Sequence, residues 1–457
     1  MRARHRSLLT ASILLAASAA VAPAPARAQA VVPGLTGSAF TLTARADRIS
    51  TPDGGSFLFW GFAAGGGQPQ YPGPTLIVQE GATVTVSVTN DLPLAAGQRA
   101  SLAFPGQTGV TAACTGGTCT QGAVTMEANA GSTVTYSFVA ARPGTYLYSS
   151  ASRPDLQAEM GLFGALIVRP TGFDAGTPDG RRAYASPDSA YDHEYLFLLS
   201  DIDSRIHDVV EAEGVAALDA SGLLANPETN YWFINGRNAP DTMAEPGTSR
   251  LPTQPYNSMP RTHPGDRLLM RVIGAGRDLH PFHHHGNHAR IIAIDGFPKQ
   301  SAAGGPLDLS HEVFTIQSLP GQTVDAIFDW TGKDLGWDIY GTAAEFAHTC
   351  NGRSLDDDPP GSSGYDATTR EYCPDHGKPL PVSLPDPLSL TFGGFWGGSP
   401  FLGTLALLPP GQGGLNPNAG YTYMWHSHTE KEITNNDVFP GGMMTMLVIE
   451  PIGVPIP

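Results

Sequence analysis

The amino-acid sequence predicts an all-β protein made of two β-sandwich domains, the second of which carries a long loop insertion. Short alternating apolar runs recur along the chain, and no long helical periodicity interrupts them. Glycine and proline are abundant, at 54 and 40 of 457 residues, which suits strands joined by many turns. The length is enough for two or three domains.

The chain begins with the features of a secretory signal peptide, which we assign to residues 1–28. Arg2, Arg4 and Arg6 precede a short apolar run, and Ala26-Arg27-Ala28 fits the small-x-small cleavage pattern. The apolar run is too short to span a bilayer, and no later segment is long enough. We therefore expect cleavage near Ala28, no membrane span, and a periplasmic or secreted protein.

The charge balance argues against nucleic acid as a partner. Four of the 26 basic residues fall in the leader, which leaves 22 basic residues against 42 acidic ones and a formal net charge of −20. A field of that sign repels nucleic acid and anionic membranes and mildly concentrates cations.

The first domain is expected over residues 30–172. Its predicted strands alternate in polarity and are separated by Gly, Pro and Asn-Asp turns. They are Thr75–Val78, Ala82–Val88, Ser132–Val139 and Gly164–Val168. The Gly-, Pro- and Asp-rich segment at 174–188 is typical of a linker.

The second domain is expected over residues 190–457. Its predicted strands are Glu194–Ser200, Tyr231–Gly236, Arg267–Ile273, Ala289–Ile294, Val313–Ile316, Thr323–Phe328 and Met444–Glu450. The polar stretch at about 342–420 has little strand signal, so we interpret it as an insertion.

Histidine placement carries the strongest functional signal. Residues 280–288 read His-Pro-Phe-His-His-His-Gly-Asn-His, and residues 426–428 read His-Ser-His. Alternate residues of a strand share a face, so His283 and His285 point one way and His284 the other. If the two segments are neighbouring strands, four imidazoles converge in a nitrogen site suited to copper or zinc. Two separate His-x-His pairs in one domain disfavour ordinary exposed or hydrogen-bonded histidines. The candidate metal ligands are His283, His285, His426 and His428, and His288 is a further candidate that could also be structural.

The four cysteines predict two disulfides. An even count in an exported chain favours bonding, and proximity pairs Cys114 with Cys119 and Cys350 with Cys373. An alternative uses the Cys-x-x-His spacing of Cys373 and His376 as a copper site, but no methionine follows at the expected distance.

The histidine segments resemble those of the multicopper oxidase family. Residues 280–288 are similar to the His-Pro-x-His-x-His-Gly ligand strand in the last domain of that family. Shorter framework likenesses are Tyr71-Pro-Gly-Pro-Thr, Asn235-Gly-Arg, Pro320-Gly-Gln and Gly441-Gly-Met-Met. The resemblance implies two cupredoxin-like Greek-key domains, with copper favoured over zinc. It would make His280 a type 1 copper ligand and would assign His283, His285, His426 and His428 to a trinuclear cluster.

The sequence departs from this family pattern at both kinds of copper site. Family members have a cysteine where this chain has Ser427, and Glu432 stands at the spacing of the downstream type 1 histidine. Residues 101–106 and 146–151 lack the two His-x-His pairs of the first domain. A blue copper site needs the cysteine thiolate. The first domain is therefore expected to hold no copper, and four-electron oxygen reduction by the family mechanism is unsupported.

Three functions stay open on the sequence alone. One is an atypical copper-dependent oxidoreductase that is not a conventional laccase. It would act on dioxygen, peroxide or a small reductant, with Glu430 or Glu432 as candidates for proton transfer. The others are a non-catalytic copper carrier, buffer or resistance protein, and a scaffold stabilised by metal. Related two-domain proteins form trimers to complete their clusters; without first-domain ligands the oligomeric state is open, a trimer included.

Overall fold

The computed structural model describes residues 31–93, 97–263, 265–330, 365–366, 371–372, 398–402, 420–450 and 455–456. The predicted leader, most of the predicted insertion, the Cys350–Cys373 pair and His376 lie outside the described residues. Within the part of the chain that is described, no helix is long and apolar enough to cross a membrane.

The N-terminal half contains two facing sheets. Its strands are β1 (Leu35–Thr36), β2 (Ala39–Ser50), β3 (Ser56–Ala64), β4 (Pro69–Gln70), β5 (Gly73–Gln79), β6 (Thr83–Asn90), β7 (Thr111–Gly116), β8 (Cys119–Gln121), β9 (Met126–Ala128), β10 (Thr133–Val139), β11 (Gly144–Ser149) and β12 (Phe163–Arg169). The first sheet has the order β1-β5-β12-β11, and the second has the order β4-β3-β2-β6-β10-β7. Strands β8 and β9 form a separate hairpin.

The C-terminal half contains a second pair of sheets. Its strands are β13 (His193–Ile202), β14 (Tyr231–Ile234), β15 (Arg261–Thr262), β16 (Arg267–Gly274), β17 (His280–His284), β18 (Ala289–Ile294), β19 (Phe297–Pro298), β20 (His311–Val313), β21 (Thr315–Ser318), β22 (Thr323–Asp329), β23 (Tyr365–Asp366), β24 (Glu371–Tyr372), β25 (Gly398–Leu402), β26 (Gly420–Ser427) and β27 (Met444–Ile449). The third sheet has the order β14-β13-β16-β22-β18-β19, with β20 paired to β18. The fourth has the order β15-β27-β26-β17-β21, with β25 paired to β26. Part of the predicted insertion therefore adds a strand to the fourth sheet.

The predicted all-β fold is confirmed, and alternation explains its strands. In β6 and β10 every second residue is buried, so Val84, Val86 and Val88 face the core together with Val134 and Tyr136. The two strands pair antiparallel. The predicted domain limits remain predictions, although the strands of the first pair of sheets end at Arg169 and those of the second begin at His193.

The first and third sheets share an apolar interface that also contains buried charges. Ile167 and Phe163 of the first sheet pack in one cluster with Leu198 of the third. At its edge, the Glu194 carboxylate accepts hydrogen bonds of 2.6 and 2.7 Å from Arg169 and also contacts Arg271. Burial alone would raise the pKa of Glu194, but the two guanidinium groups hold it at about 2.

Two helices of the C-terminal half were not predicted. The α-helices are α1 (Pro154–Gln157), α2 (Ser204–Ala212) and α3 (Val215–Ser221), and the 3-10 helices are Pro187–Ser189, Leu223–Ala225, Asp241–Met243 and Glu430–Ile433. Ile206, Val210, Val215 and Leu218 of α2 and α3 pack in the same core cluster as the N-terminal sheets. These helices depend on that surface, because helices this short are marginal in isolation.

Candidate metal centre

The fourth sheet brings the two histidine segments together, as the sequence analysis required. Strand β17 pairs antiparallel with β26 and places His283 directly opposite His426. On its other side β17 pairs with β21, where His283 faces Thr315. Directly opposed residues of antiparallel strands have side chains on the same face, so these two imidazoles meet.

Three imidazoles form a compact group, which we call the histidine cluster: His283, His285 and His426. One ring nitrogen from each lies within 4.8 Å of the others, and Nε2 of His285 is 3.3 Å from Nε2 of His426. His428 lies at the rim of this cluster, with its ring centre 4.9 Å from that of His283 and its side chain 53% exposed. The four predicted imidazoles are therefore neighbours: His285 and His426 are buried, His283 is half-buried and His428 faces solvent.

Hydrogen bonds on the far side of the rings orient the cluster. Nδ1 of His426 donates to the backbone oxygen of Ser427 at 2.7 Å, which leaves a lone pair on Nε2. Nδ1 of His283 lies 2.9 Å from the Thr315 hydroxyl. Indole Nε1 of Trp425 donates to the backbone oxygen of His285 at 3.0 Å and fixes that segment. Such outer contacts set the tautomer and direction of metal-binding imidazoles.

The donor set fits a copper or zinc ion. Tetrahedral ligands at about 2.0–2.1 Å from an ion are about 3.3–3.4 Å apart, which is close to the 3.3 Å between Nε2 of His285 and Nε2 of His426. Nδ1 of His285 is buried without a hydrogen-bond partner. Burial and the neighbouring imidazoles lower the pKa of His283 to about 4 and that of His285 to about 3, so both rings are neutral near pH 7.

The other histidines of this strand lie outside the cluster. His284 is buried on the opposite face, where its ring packs against Trp425 and Nε2 lies 3.0 Å from both the Ala289 nitrogen and the Val313 oxygen. These contacts give His284 a structural position in the core. His288 is exposed, with its ring 5.9 Å from that of Phe314. Its role as a ligand stays a prediction.

His280 occupies a different environment from the one that the resemblance implied. Its Nδ1 lies 2.9 Å from Oε2 of Glu432, and its Nε2 lies 3.3 Å from Oδ2 of Asp201. The Ser427 hydroxyl donates to the same Glu432 oxygen at 2.5 Å. We call these four residues the carboxylate–imidazole network. Both ring nitrogens of His280 therefore contact carboxylates. The network occupies the position at which the family resemblance places type 1 copper.

Electrostatics in this network favour an imidazolium. Burial lowers the pKa of His280, but hydrogen bonds and charge attraction from Asp201 and Glu432 outweigh burial and raise it to about 9. The pKa of Asp201 is lowered because contacts with His280 outweigh its burial. Sequence reasoning missed Asp201, which is the penultimate residue of β13 and precedes His280 by 79 positions; no local motif marks it.

The two glutamates proposed for proton transfer have different surroundings. Glu432 is buried and engaged in the network. The Glu430 carboxylate lies 3.5 Å from Nδ1 of His428, and its side chain is 82% exposed. Only Glu430 is therefore placed at the solvent-facing rim of the histidine cluster.

The two N-terminal segments that lack His-x-His pairs lie next to each other. Residues 101–106 and 146–151 are brought together by two backbone hydrogen bonds between Ala103 and Ser149. The Ser101 and Ser152 hydroxyls are 2.8 Å apart. The predicted Cys114–Cys119 disulfide is confirmed.

Known proteins share this architecture. Among solved structures, the blue copper oxidase of Nitrosomonas europaea is 20% identical with a TM-score of 0.51, over 90% of this chain and 85% of that one. The multicopper oxidase mgLAC is 20% identical with a TM-score of 0.50, over 92% of this chain and 87% of that one. No curated protein gives a significant match. At this identity the likeness defines the fold, a two-domain cupredoxin-like protein.

Part of the first domain also matches a family model in sequence. Residues 66–172 match the model of the family described as multicopper oxidase. Together with the shared fold, this match confirms that the chain resembles the multicopper oxidases. Copper is the cofactor that this relationship implies, and the histidine cluster is where the described residues fit it.

Proposed function

We propose that this protein is exported and binds copper at the histidine cluster, where it acts as an atypical copper-dependent oxidoreductase. The observation that carries the proposal is the convergence of ring nitrogens from His283, His285 and His426, with two Nε2 atoms 3.3 Å apart. Copper bound there would supply one-electron redox chemistry. The solvent-facing position of His428 supports access by a small reductant or dioxygen.

The chain itself contributes binding, orientation and proton transfer. Thr315 and the Ser427 carbonyl hold two imidazoles with nitrogen lone pairs facing inward. Glu430 is exposed and 3.5 Å from His428, so it is placed to exchange protons with solvent and with this ring. Glu432 is less suited to that task, because His280 and Ser427 already occupy its Oε2.

The same residues argue against the complete mechanism of the family. Ser427 supplies a hydroxyl in place of the thiolate that a blue copper site requires. Its hydroxyl is committed to Glu432, and His280 lies between two carboxylates. Electron transfer through a type 1 copper is therefore not part of our proposal.

A non-catalytic copper carrier or buffer is the second candidate. It is favoured by one observation, the exposure of His428 beside three more buried ligands. The solvent-facing imidazole of His428 could transfer copper to an external chelator, or accept copper from it, while the other three imidazoles keep their positions. Carrier function needs exchange without turnover, which separates it from an oxidoreductase.

The first test is the copper content of the chain, purified from the exported fraction and loaded with Cu(II). We expect about one tightly bound copper with nitrogen hyperfine splitting in its electron paramagnetic resonance spectrum. His285→Ala with His426→Ala should remove it. His311→Ala is the matched control, because His311 is exposed on an edge strand of the other sheet. Unchanged binding in the double variant would refute the assigned site.

A second experiment separates catalysis from carriage. Oxygen consumption with small reductants is compared with the rate of copper transfer to a chelator. Oxidoreductase function predicts turnover that depends on the histidine cluster and falls in Glu430→Gln. Carrier function predicts rapid copper transfer to the chelator. The transfer rate should change in His428→Ala, and no variant should consume oxygen. The N-terminal sequence of the exported protein tests the expected cleavage near Ala28.

A further inference from the structure

A second group of metal-ligand side chains lies away from the histidine cluster, in the same half of the chain. His193 is the first residue of β13, and Asp266 immediately precedes β16, its parallel neighbour. His263 follows β15, a strand of the opposite sheet. One donor atom from each of the three lies within 4.8 Å of the others.

The geometry of this group is close to that of a metal site. Oδ2 of Asp266 is 2.9 Å from Nε2 of His193 and 3.2 Å from Nδ1 of His263. Ligands of a tetrahedral ion are about 3.3–3.4 Å apart, so small displacements would admit one. Two imidazoles and one carboxylate also match the ligand chemistry of zinc sites that keep a position for water.

The surroundings hold the group in place. The backbone nitrogen of His263 donates to Oδ2 of Asp266 at 2.9 Å, and the Asp266 nitrogen donates to the His263 oxygen at 3.1 Å. His193 and Asp266 have side chains that are 10% and 2% exposed, whereas that of His263 is 21% exposed. The group is therefore largely buried, with one imidazole left to solvent as an entry point.

One buried ring nitrogen of this group makes no hydrogen bond. Nδ1 of His193 is buried and has no hydrogen-bond partner, although buried polar atoms are nearly always paired. No bond on that side fixes the ring's proton, so His193 is free to present Nε2 as a lone pair.

We propose that His193, His263 and Asp266 form a second site for a divalent transition-metal ion of the zinc type. The ion would join the third and fourth sheets at the start of the C-terminal domain, because His193 and Asp266 belong to one sheet and His263 to the other. Its role is to stabilise the folded domain, since an ion that binds only the native state raises its stability. It does not depend on copper binding at the histidine cluster.

The test uses zinc as the probe and counts bound ions by equilibrium dialysis of the full chain. The His285→Ala/His426→Ala chain should still bind one zinc and unfold at a higher temperature with zinc than without it. Adding His263→Ala should remove both effects. Adding His311→Ala to the same double variant should leave both intact.

The unmodified chain provides an independent check if the double variant folds poorly. There, His263→Ala should lower the zinc count by one and leave the copper resonance of the histidine cluster unchanged. Asp266→Asn, which keeps the side-chain shape, should give the same loss. A zinc count that does not fall in either variant would overturn the second site. Loss of copper at the histidine cluster alone would bear only on the proposed function.

Discussion

Nδ1 of His280 lies 2.9 Å from Oε2 of Glu432, inside the C-terminal domain. In a multicopper oxidase the corresponding histidine is expected to bind type 1 copper; here a carboxylate stands at the second histidine position and a hydroxyl at that of the cysteine. The two substitutions are chemically consistent, because the serine donates to the glutamate and the glutamate pairs with the imidazolium. The position therefore holds a hydrogen-bonded network of one imidazole and two carboxylates.

Removing the Glu432 charge should destabilise the fold. In Glu432→Gln, the buried imidazolium keeps only Asp201 as a charged partner. Breaking a buried pair typically costs about 3–5 kcal/mol. We expect a loss of about 3 kcal/mol in the free energy of unfolding, measured by urea denaturation. Glu430→Gln is the matched control, because its side chain is 82% exposed and should change stability little. Equal losses in both variants would contradict this account.

The same network predicts a decline in stability on the alkaline side. Because the folded pKa of His280 is about 9 and the unfolded value is near 6.5, its contribution is complete below pH 6.5. It disappears as pH rises through 9. A difference of this size corresponds to on the order of 3 kcal/mol. Unfolding free energies measured from pH 6 to 10 should show this decline, and His280→Gln should flatten it; a decline retained in that variant would point to another group.

Restoring the family residues should create a blue copper site. Ser427→Cys with Glu432→His would place a thiolate and a second imidazole beside His280, the trigonal set of such sites. We expect an intense visible charge-transfer band after copper loading of this double variant. Ser427→Ala, which removes the hydroxyl without adding a thiolate, should remain free of the band. A colourless double variant with full copper content would show that Asp201 still retains His280.

The buried ion pairs of Glu194 with Arg169 and Arg271 should make the free energy of unfolding depend on pH on the acid side. Glu194 has a folded pKa of about 2 against an ordinary value of 4.5, so its contribution is present above pH 4.5 and is lost as pH falls toward 2. Glu194→Gln should cost about 3–5 kcal/mol at pH 7, because two buried guanidinium groups lose their shared carboxylate. Urea denaturation at pH 7 and at pH 3 measures both effects, with a smaller cost at the lower pH.

The exposed ion pair between Glu211 and Arg48 offers a control for that measurement. Surface pairs typically contribute about 0–1 kcal/mol, so Glu211→Gln should leave stability nearly unchanged at both pH values. A similar loss in the two variants would show that burial of Glu194 is not the reason for its effect.

The sequence predicts the parts of the site that depend on strand alternation. His283, His285 and His426 converge because a period of two fixes their faces and because β17 and β26 are neighbours. It could not predict the partner of His280, because Asp201 comes from a strand of the opposite sheet. The sequence also could not predict that His428 is more exposed than its three neighbours. Strand β26 ends at Ser427, and His428 lies just beyond it. The helices at 204–221 were not predicted, because their apolar residues pack against N-terminal strands that are distant in the sequence.

Those two helices limit how the molecule can be divided. Residues 204–221 follow the first strand of the C-terminal half, yet Ile206, Val210, Val215 and Leu218 are buried with the N-terminal core. An excised fragment of residues 190–457 would present these four side chains to water and would be prone to aggregate. The half that carries the histidine cluster is thus not a self-sufficient module, and the N-terminal half serves as its folding partner.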